Sequence, residues 1–208
     1  MNQSLAFKSL AFTIKPETAA LAAGVEQLLD AVFGRARFDK ASYLYRVGVE
    51  PVRELSYIAQ HQGEIVGTIR YWPITIGAEG HQALLLGPLG ITPRLAGKGI
   101  GRTLTFRTLE IAAEMGHDLV LLVGDVDYYK RFGFVPAAPH GFVMPGETRP
   151  ERLQVAPLKS GVLGRVSGEV RHVHGLEPAA IANGIQSPLA AIFAAAAPSA
   201  SPVALDRR

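Results

Sequence analysis

At 208 residues the chain is long enough to bury the core of one domain, and no apolar run approaches the ~20 residues of a membrane span. Hydrophobic residues at 48% and charged residues at 19% describe a globular chain, and a net charge of +3 does not by itself mark a nucleic-acid binder. The lack of cysteine excludes disulfide scaffolds, thiolate nucleophiles and thiolate zinc sites. With an N-terminus, MNQSLAFKSLAFTIKPE, that carries no evident export signal, the expectation is a cytoplasmic protein that meets neither nucleic acid nor membrane.

In chain order, residues 10–15 read as a first strand. Pro16 then opens a helix with Leu21, Val25, Leu28, Leu29 and Val32 at helical spacing. Residues 38–47 predict a short second helix, with Arg35, Arg37, Lys40 and Arg46 near or within it. Those cations read as a solvated helix face, with a substrate-facing surface as the other reading. Residues 55–60 and 64–76 are rich in β-branched and aromatic side chains, and Gln62-Gly63 between them suits a hairpin turn. The lone Trp72 lies in the second of these strands, either as packing or in a pocket wall.

Residues 83–91 are apolar throughout, as a strand buried on both faces should be. Gly87-Pro88 interrupts them, and a proline without a ladder donor predicts a bulge or a local opening of the sheet. A glycine-rich turn follows, then a helix whose buried face is marked by Ile100, Leu104, Ile111 and Met115 and which stops near Gly116. Residues 119–123 form the next strand, so 84–91 and 119–123 are expected to be parallel neighbours joined by a crossover. Residues 125–131 supply about two helical turns. Phe134-Val135, 151–157 and 162–173 read as further strands. From Ala179 onward an Ala, Pro and Ser composition suggests a loosely held helix and a tail.

The turn Arg94-Leu95-Ala96-Gly97-Lys98-Gly99-Ile100-Gly101-Arg102 joins a buried strand to a helix. The first amides of a helix lack intrahelical acceptors, and the macrodipole adds roughly half a positive charge there. Glycines let the backbone approach a ligand, and Arg94, Lys98 and Arg102 place cations at the rim. A pyrophosphate suits such a turn. A Walker A loop is excluded because Lys98 is followed by Gly99 and position 92 is threonine. A dinucleotide fingerprint is a poor match because the third glycine comes one residue early.

The remaining pattern, Arg94-x-x-Gly97-x-Gly99 after an interrupted strand, resembles the coenzyme A pyrophosphate motif of the GNAT superfamily of acyl-CoA N-acyltransferases. Asp127-Tyr-Tyr-Lys-Arg-Phe-Gly-Phe134 resembles the segment of that superfamily in which a tyrosine-bearing helix runs into Gly-Phe, and Tyr129 matches its tyrosine. The resemblance is strongest over residues 84–136. It implies an α/β (α+β) fold: a mixed, mostly antiparallel sheet with a splayed parallel strand pair and flanking helices. It also implies a core over residues 1–157, a strand extension over 158–178 and an Ala/Pro-rich helix and tail over 179–208.

By the same resemblance the cosubstrate is acetyl-CoA, held by Leu89, Gly90, Ile91 and the turn from Arg94 to Arg102. A strand amide near Leu89 to Ile91 would stabilise the oxyanion as a primary amine attacks the thioester. Tyr129 would protonate the departing thiolate. Many members place a glutamate on the bulged strand, but residues 83–91 hold no carboxylate, leaving Asp125, Glu79 and His81 as candidate bases. The histidines show no metal spacing, and no metal is expected. A non-catalytic acyl-CoA sensor of the same fold is the alternative, and a homodimer through residues 181–197 is a further possibility.

Overall fold

The computed structural model describes residues 10–176. The helix and tail expected over 179–208, and the dimer surface expected over 181–197, lie outside the described residues.

The chain begins with β1 (Thr13–Pro16), α1 (Ala22–Phe33) and the short α2 (Ala41–Leu44). A 3-10 turn, Arg35–Asp39, joins the two helices, so the helix expected over 38–47 is two short pieces. A meander follows: β2 (Tyr57–His61), β3 (Glu64–Ile76) and β4 (His81–Ile91). Gln62 and Gly63 both take positive φ, at 52° and 86°, which matches the right-handed twist of the β2–β3 hairpin. Next come α3 (Ile100–Glu114), β5 (Leu119–Val123) and α4 (Val126–Tyr129), the last prolonged by a 3-10 turn over Lys130–Phe132. The chain closes with β6 (Val135–Pro136), β7 (Phe142–Val143), β8 (Leu153–Pro157) and β9 (Gly168–His172). Of the strand expected over 162–173, the first part is a 3-10 turn, Val162–Gly164, and β7 had no periodic signal because it is two residues long.

The sheet runs β1-β2-β3-β4-β5-β8-β6, with β9 pairing β3 and β7 pairing β9. It is mostly antiparallel, with β4 and β5 a parallel pair at its centre and the two-residue β7 pairing parallel to β9 at its margin. Period-two alternation divides the core. Leu84, Leu86, Val120 and Leu122 face α3, whereas Ala83, Leu85, Leu119 and Leu121 face the layer that contains Tyr45, Phe142 and Met144. Each of these buried leucines contributes roughly 2 kcal/mol through the water it no longer orders. On α3, Ile100 and Leu104 are buried as expected, but Met115 is 43% exposed. Leu109, Ala112, Thr105 and Thr108 take the buried face instead. The two threonines are hidden at low cost because their hydroxyls donate to the carbonyls of Gly101 and Leu104, each at 2.8 Å.

Two irregularities in β4 position everything that follows. The β3–β4 register moves from Ile69↔Leu89 to Tyr71↔Leu86, so Arg70 alone stands opposite Gly87 and Pro88, a β-bulge. Beyond it the parallel pairing is brief: only Leu84↔Val120 and Leu85↔Leu121 are in register, and the strands then part.

Arg70 itself is nearly sealed from solvent. It donates from Nε and Nη2 to both carboxylate oxygens of Glu17, at 2.8 and 2.6 Å, and from Nη1 to Glu26 at 2.6 Å. This bidentate pair ties β1 and α1 to the middle of β3. Removing one partner of a buried pair leaves an uncompensated charge, so Arg70→Ala should lower stability by about 3–5 kcal/mol. Urea denaturation at neutral pH measures this, and an unchanged midpoint would mean that Glu17 is solvated in the native state.

Candidate active site

The strands that part leave a cleft, and its two walls differ in kind. On the α3 side a cavity of about 550 Å³ is bounded by Leu89 and Ile91, by the turn from Leu95 to Arg102, and by Tyr128, Tyr129 and Arg131. On the other side of the cleft, a cavity of about 200 Å³ lies between residues 86–89 of β4 and residues 123–125, walled by Lys40, Arg46 and Arg152. Phe33, Leu89 and Tyr129 border both cavities, so a reaction joining their contents would occur beside those residues.

Backbone chemistry builds the first cavity. Thr92 donates its amide to Val66 at 2.9 Å, which fixes the phase of hydrogen bonding after the bulge. In an antiparallel ladder the direction alternates. Gly90, opposite Thr68, therefore turns its amide to β3, whereas Leu89 and Ile91 turn theirs to the edge that β5 has left. Gly90 also carries Leu29 and Phe33 of α1 against its Cα, which makes it a packing position rather than a cavity donor.

At the floor, Gly99 caps α3 in the left-handed region with φ at 86°, a conformation a side chain would strain. The first intrahelical bond there is Thr103 N–H to Gly99 O at 2.9 Å. The amides before it are free for an anion. Gly97, Gly99, Gly101 and Arg102 border this cavity, as do Ala96 and the more deeply buried Leu95 and Ile100. Arg94 and Lys98 do not. The Arg94 guanidinium instead pairs with Glu64 of β3 in an exposed contact.

Tyr129 is held by its neighbours. A Cβ at Gly124 would stand 2.4 Å from its ring, so the absence of a side chain at 124 makes room for it. Tyr128 and Phe134 meet the ring edge-on at centroid distances of 4.9 and 5.7 Å. Burial, then the neighbouring Tyr128 hydroxyl, pushes its pKa well above the ordinary tyrosine value, so the phenol stays protonated at neutral pH. Of the candidate bases, Asp125 borders the smaller cavity and caps α4 by accepting from Tyr128 N at 2.7 Å. Glu79 and His81 sit at the other end of β4, roughly 20 Å of strand away from the bulge at ~3.3 Å per residue. That removes both from the site.

Several residues here escaped sequence reasoning. Tyr128 lies beside Gly101 in the larger cavity, and only its place next to Tyr129 hinted at it. Arg37, Lys40 and Arg46, read as a solvated face with a substrate-facing surface as the other reading, border the cleft; Arg37 is buried and Lys40 stays exposed. Trp72 donates from Nε1 to Gly87 O at 2.7 Å, which fixes the bulge carbonyl and makes the side chain more than packing.

The family model described as Acetyltransferase (GNAT) family matches residues 23–134, just over half the chain. The chain belongs to the GNAT family. Among curated proteins it is similar to the uncharacterized N-acetyltransferase YhbS of Escherichia coli (strain K12), with 29% identity over 111 residues. That match covers 53% of this chain and 66% of YhbS, just under two thirds of its length. The crystal structure of the GNAT family N-acetyltransferase YhbS from Escherichia coli in complex with CoA superposes with a TM-score of 0.66 at 27% identity, over 78% of this chain and 90% of that one. A GNAT family acetyltransferase from Brucella melitensis, in complex with acetyl-CoA, shares the fold with a TM-score of 0.58 at 24% identity, over 77% and 95% of the two chains.

Within this GNAT site Gly124 leaves the least room for a side chain, since an added Cβ would fall on the Tyr129 ring. Gly124→Ala should displace the ring and cost about 1–3 kcal/mol through overpacking. Thermal unfolding checks it, and a melting temperature equal to that of the parent would show that the ring yields freely.

Proposed function

We propose that the chain transfers the acetyl group of acetyl-CoA to a primary amine by direct attack within a ternary complex. The observation that carries the reading is the pair of outward amides on Leu89 and Ile91 beside a glycine-capped helix N-terminus, on one wall of a single cavity. The α3 amides with Arg102 and Arg131 suit the pyrophosphate of acetyl-CoA, and the β4 edge suits its pantetheine arm by adding a partial strand. The relatives bound to CoA and acetyl-CoA support the same ligand. The family's chemistry and the lack of any transmembrane-length helix among the described residues fit an acyltransferase working in the cytoplasm.

The chemistry follows from the junction of the two cavities. The amine nitrogen, having given its extra proton to solvent or to a base, forms a bond to the thioester carbonyl carbon. The Leu89 amide receives the oxygen on which charge develops, an interaction worth up to ~3–4 kcal/mol for a well-placed donor. The nitrogen, positively charged once bonded, gives a second proton to solvent or to Asp125 through water; the C–S bond breaks, Tyr129 donates its proton to the thiolate, and the phenolate recovers a proton from solvent. The products are an amide and CoA. Asp125 is the one carboxylate bordering the smaller cavity, and its capping bond to Tyr128 N holds it as a fixed acceptor for a proton relayed through water.

Acetyl-CoA titrated calorimetrically into the protein should bind saturably. Gly99→Glu, which adds a charge where the pyrophosphate would lie, should abolish that binding while leaving the fold intact by circular dichroism. No binding to the folded parent would sink the proposal, and binding without thiol release across an amine library would favour the sensor.

Tyr129→Phe should lower kcat by on the order of 10²-fold with the KM for acetyl-CoA little changed, in keeping with general acid catalysis. Because the tyrosine pKa is raised, the parent rate should not fall through loss of this proton as pH increases from 7 to 9.5. A parent rate that declines over that interval, with the decline absent in the phenylalanine variant, would show the pKa to be ordinary.

A further inference from the structure

Arg46 stands at the wall shared by the smaller cavity and a neighbouring, largely apolar one of about 190 Å³ that also touches Glu26, Arg70 and Trp72. Its guanidinium lies 4.0 Å from the centroid of the Tyr43 ring and 5.6 Å from that of Trp72. On the third side is the bulge, where a Cβ on Gly87 would stand 3.3 Å from Arg46 Nη2. Within this aromatic and backbone frame Nε and Nη1 are sealed from solvent and have no hydrogen-bond partner among the described residues.

The nearby acids are already engaged. Glu26 accepts from Arg37 at 2.9 Å with one oxygen and from Arg70 at 2.6 Å with the other. Glu17 is bound bidentately by Arg70, and Asp30 accepts from Arg37. Of the four cations on the smaller cavity, Arg37 is paired with Glu26 and Asp30, whereas Arg46, Lys40 and Arg152 form no ion pair among the described residues. Asp125 is the only acid on that wall.

Physical cost makes this arrangement informative. A buried charge without a partner is destabilising by several kcal/mol, because the field of water is lost and nothing replaces it. Burial pushes the Arg46 pKa down to about 10, an unusual depression for a group that ordinarily holds its proton. Lys40 is also depressed, first by burial and then by Arg152, Arg149 and Arg46. An excess of positive charge beside a cavity is a binding determinant for an anion, and a guanidinium holds a carboxylate through charge-assisted hydrogen bonding.

Building on the acetyl transfer proposed above, we propose that Arg46 anchors a carboxylate of the acyl acceptor, so that the substrate is a small primary amine that also carries a carboxylate group. The cavity of about 200 Å³ suits a molecule of amino-acid size, and Tyr129, where the amine must arrive, also borders it. The carboxylate at Arg46 and the amine at Tyr129 and Leu89 would then be held from opposite ends. Arg46 is a specificity residue in this reading, since it touches the acceptor but not the reacting atoms.

The test uses the full chain, acetyl-CoA and the proteinogenic amino acids, each paired with its methyl ester, with thiol release as the readout. The parent should prefer at least one acid over its ester by about 100-fold in kcat/KM. Arg46→Met should abolish that preference through a raised KM for the acid and retain acetyl-CoA binding by calorimetry, while Arg46→Lys should restore part of the preference. Retained acetyl-CoA binding with an unchanged acid-to-ester ratio in Arg46→Met overturns the proposal, as does acetylation of esters alone. Acetyl-CoA binding with no turnover of any amino acid also overturns it and leaves the transferase reading to other amines. Loss of acetyl-CoA binding by the parent would instead overturn the transferase reading itself. If Arg46→Met fails to fold, the parent's ratio and the Arg46→Lys variant decide the matter.

Discussion

The whole site depends on one extra residue in β4. Because a strand repeats every two residues, setting Gly87 and Pro88 opposite Arg70 alone changes which downstream amides face β3 and which face away. Leu89 and Ile91 thereby direct their N–H groups to an edge where β5 is no longer paired. Had the ladder continued, those donors would be used within the sheet and the cleft would be closed. The bulge in turn is held from three directions: Trp72 binds the Gly87 carbonyl, Arg46 lies against Gly87, and Arg70 opposite is locked to Glu17 and Glu26.

That constraint explains why this part of the structure was readable in the sequence. A glycine and a proline in an otherwise apolar run are local breaches of strand chemistry, and nothing but a bulge or an opening accommodates them. The turn from Arg94 to Arg102 was equally legible as a strand-to-helix turn, because glycines at fixed spacing set its backbone conformation, whereas the segment from Asp127 to Phe134 was read through its resemblance to a GNAT segment. The same reasoning failed where packing decides. Met115 fits the helical period yet lies on the surface, since Thr105 and Thr108 bond to their own helix and can be buried in place of an apolar side chain. Arg94 fits the motif yet its side chain is drawn to Glu64, a partner 30 positions earlier that no local pattern reveals.

Whereas Arg35 and Lys40 keep to the solvated-face reading, Arg37 and Arg46 depart from it for a similar reason. Their spacing is that of a solvated helix, but the segment folds as a 3-10 turn and one short helical turn that wrap over the β4 bulge. Short turns do not keep one face to solvent. Arg37 becomes buried against Asp30 and Glu26, and Arg46 passes beneath Tyr43. Sequence alone assigns such residues to the surface because charge is normally solvated, and only long-range pairing, here across |i−j| of 11 between Arg37 and Glu26, reverses that.

The two halves of the cleft consequently answer to different rules. The half on the α3 side is made of main-chain amides, a helix terminus and glycine turns, which can hold the part of a ligand that never varies. The other half is made of side chains carried by the segment between α1 and β2 and by residues 123–125 and 152, which can be exchanged without altering the ladder. Under the proposed acetyl transfer, a fold divided in this way would keep one reaction while its acceptor changes, because a substitution at Lys40 touches neither the bulge register nor the helix cap. On that proposal selectivity would be set by the charge and size of a small cavity, and the reaction by a backbone geometry that any acceptor reaching Leu89 and Tyr129 would share.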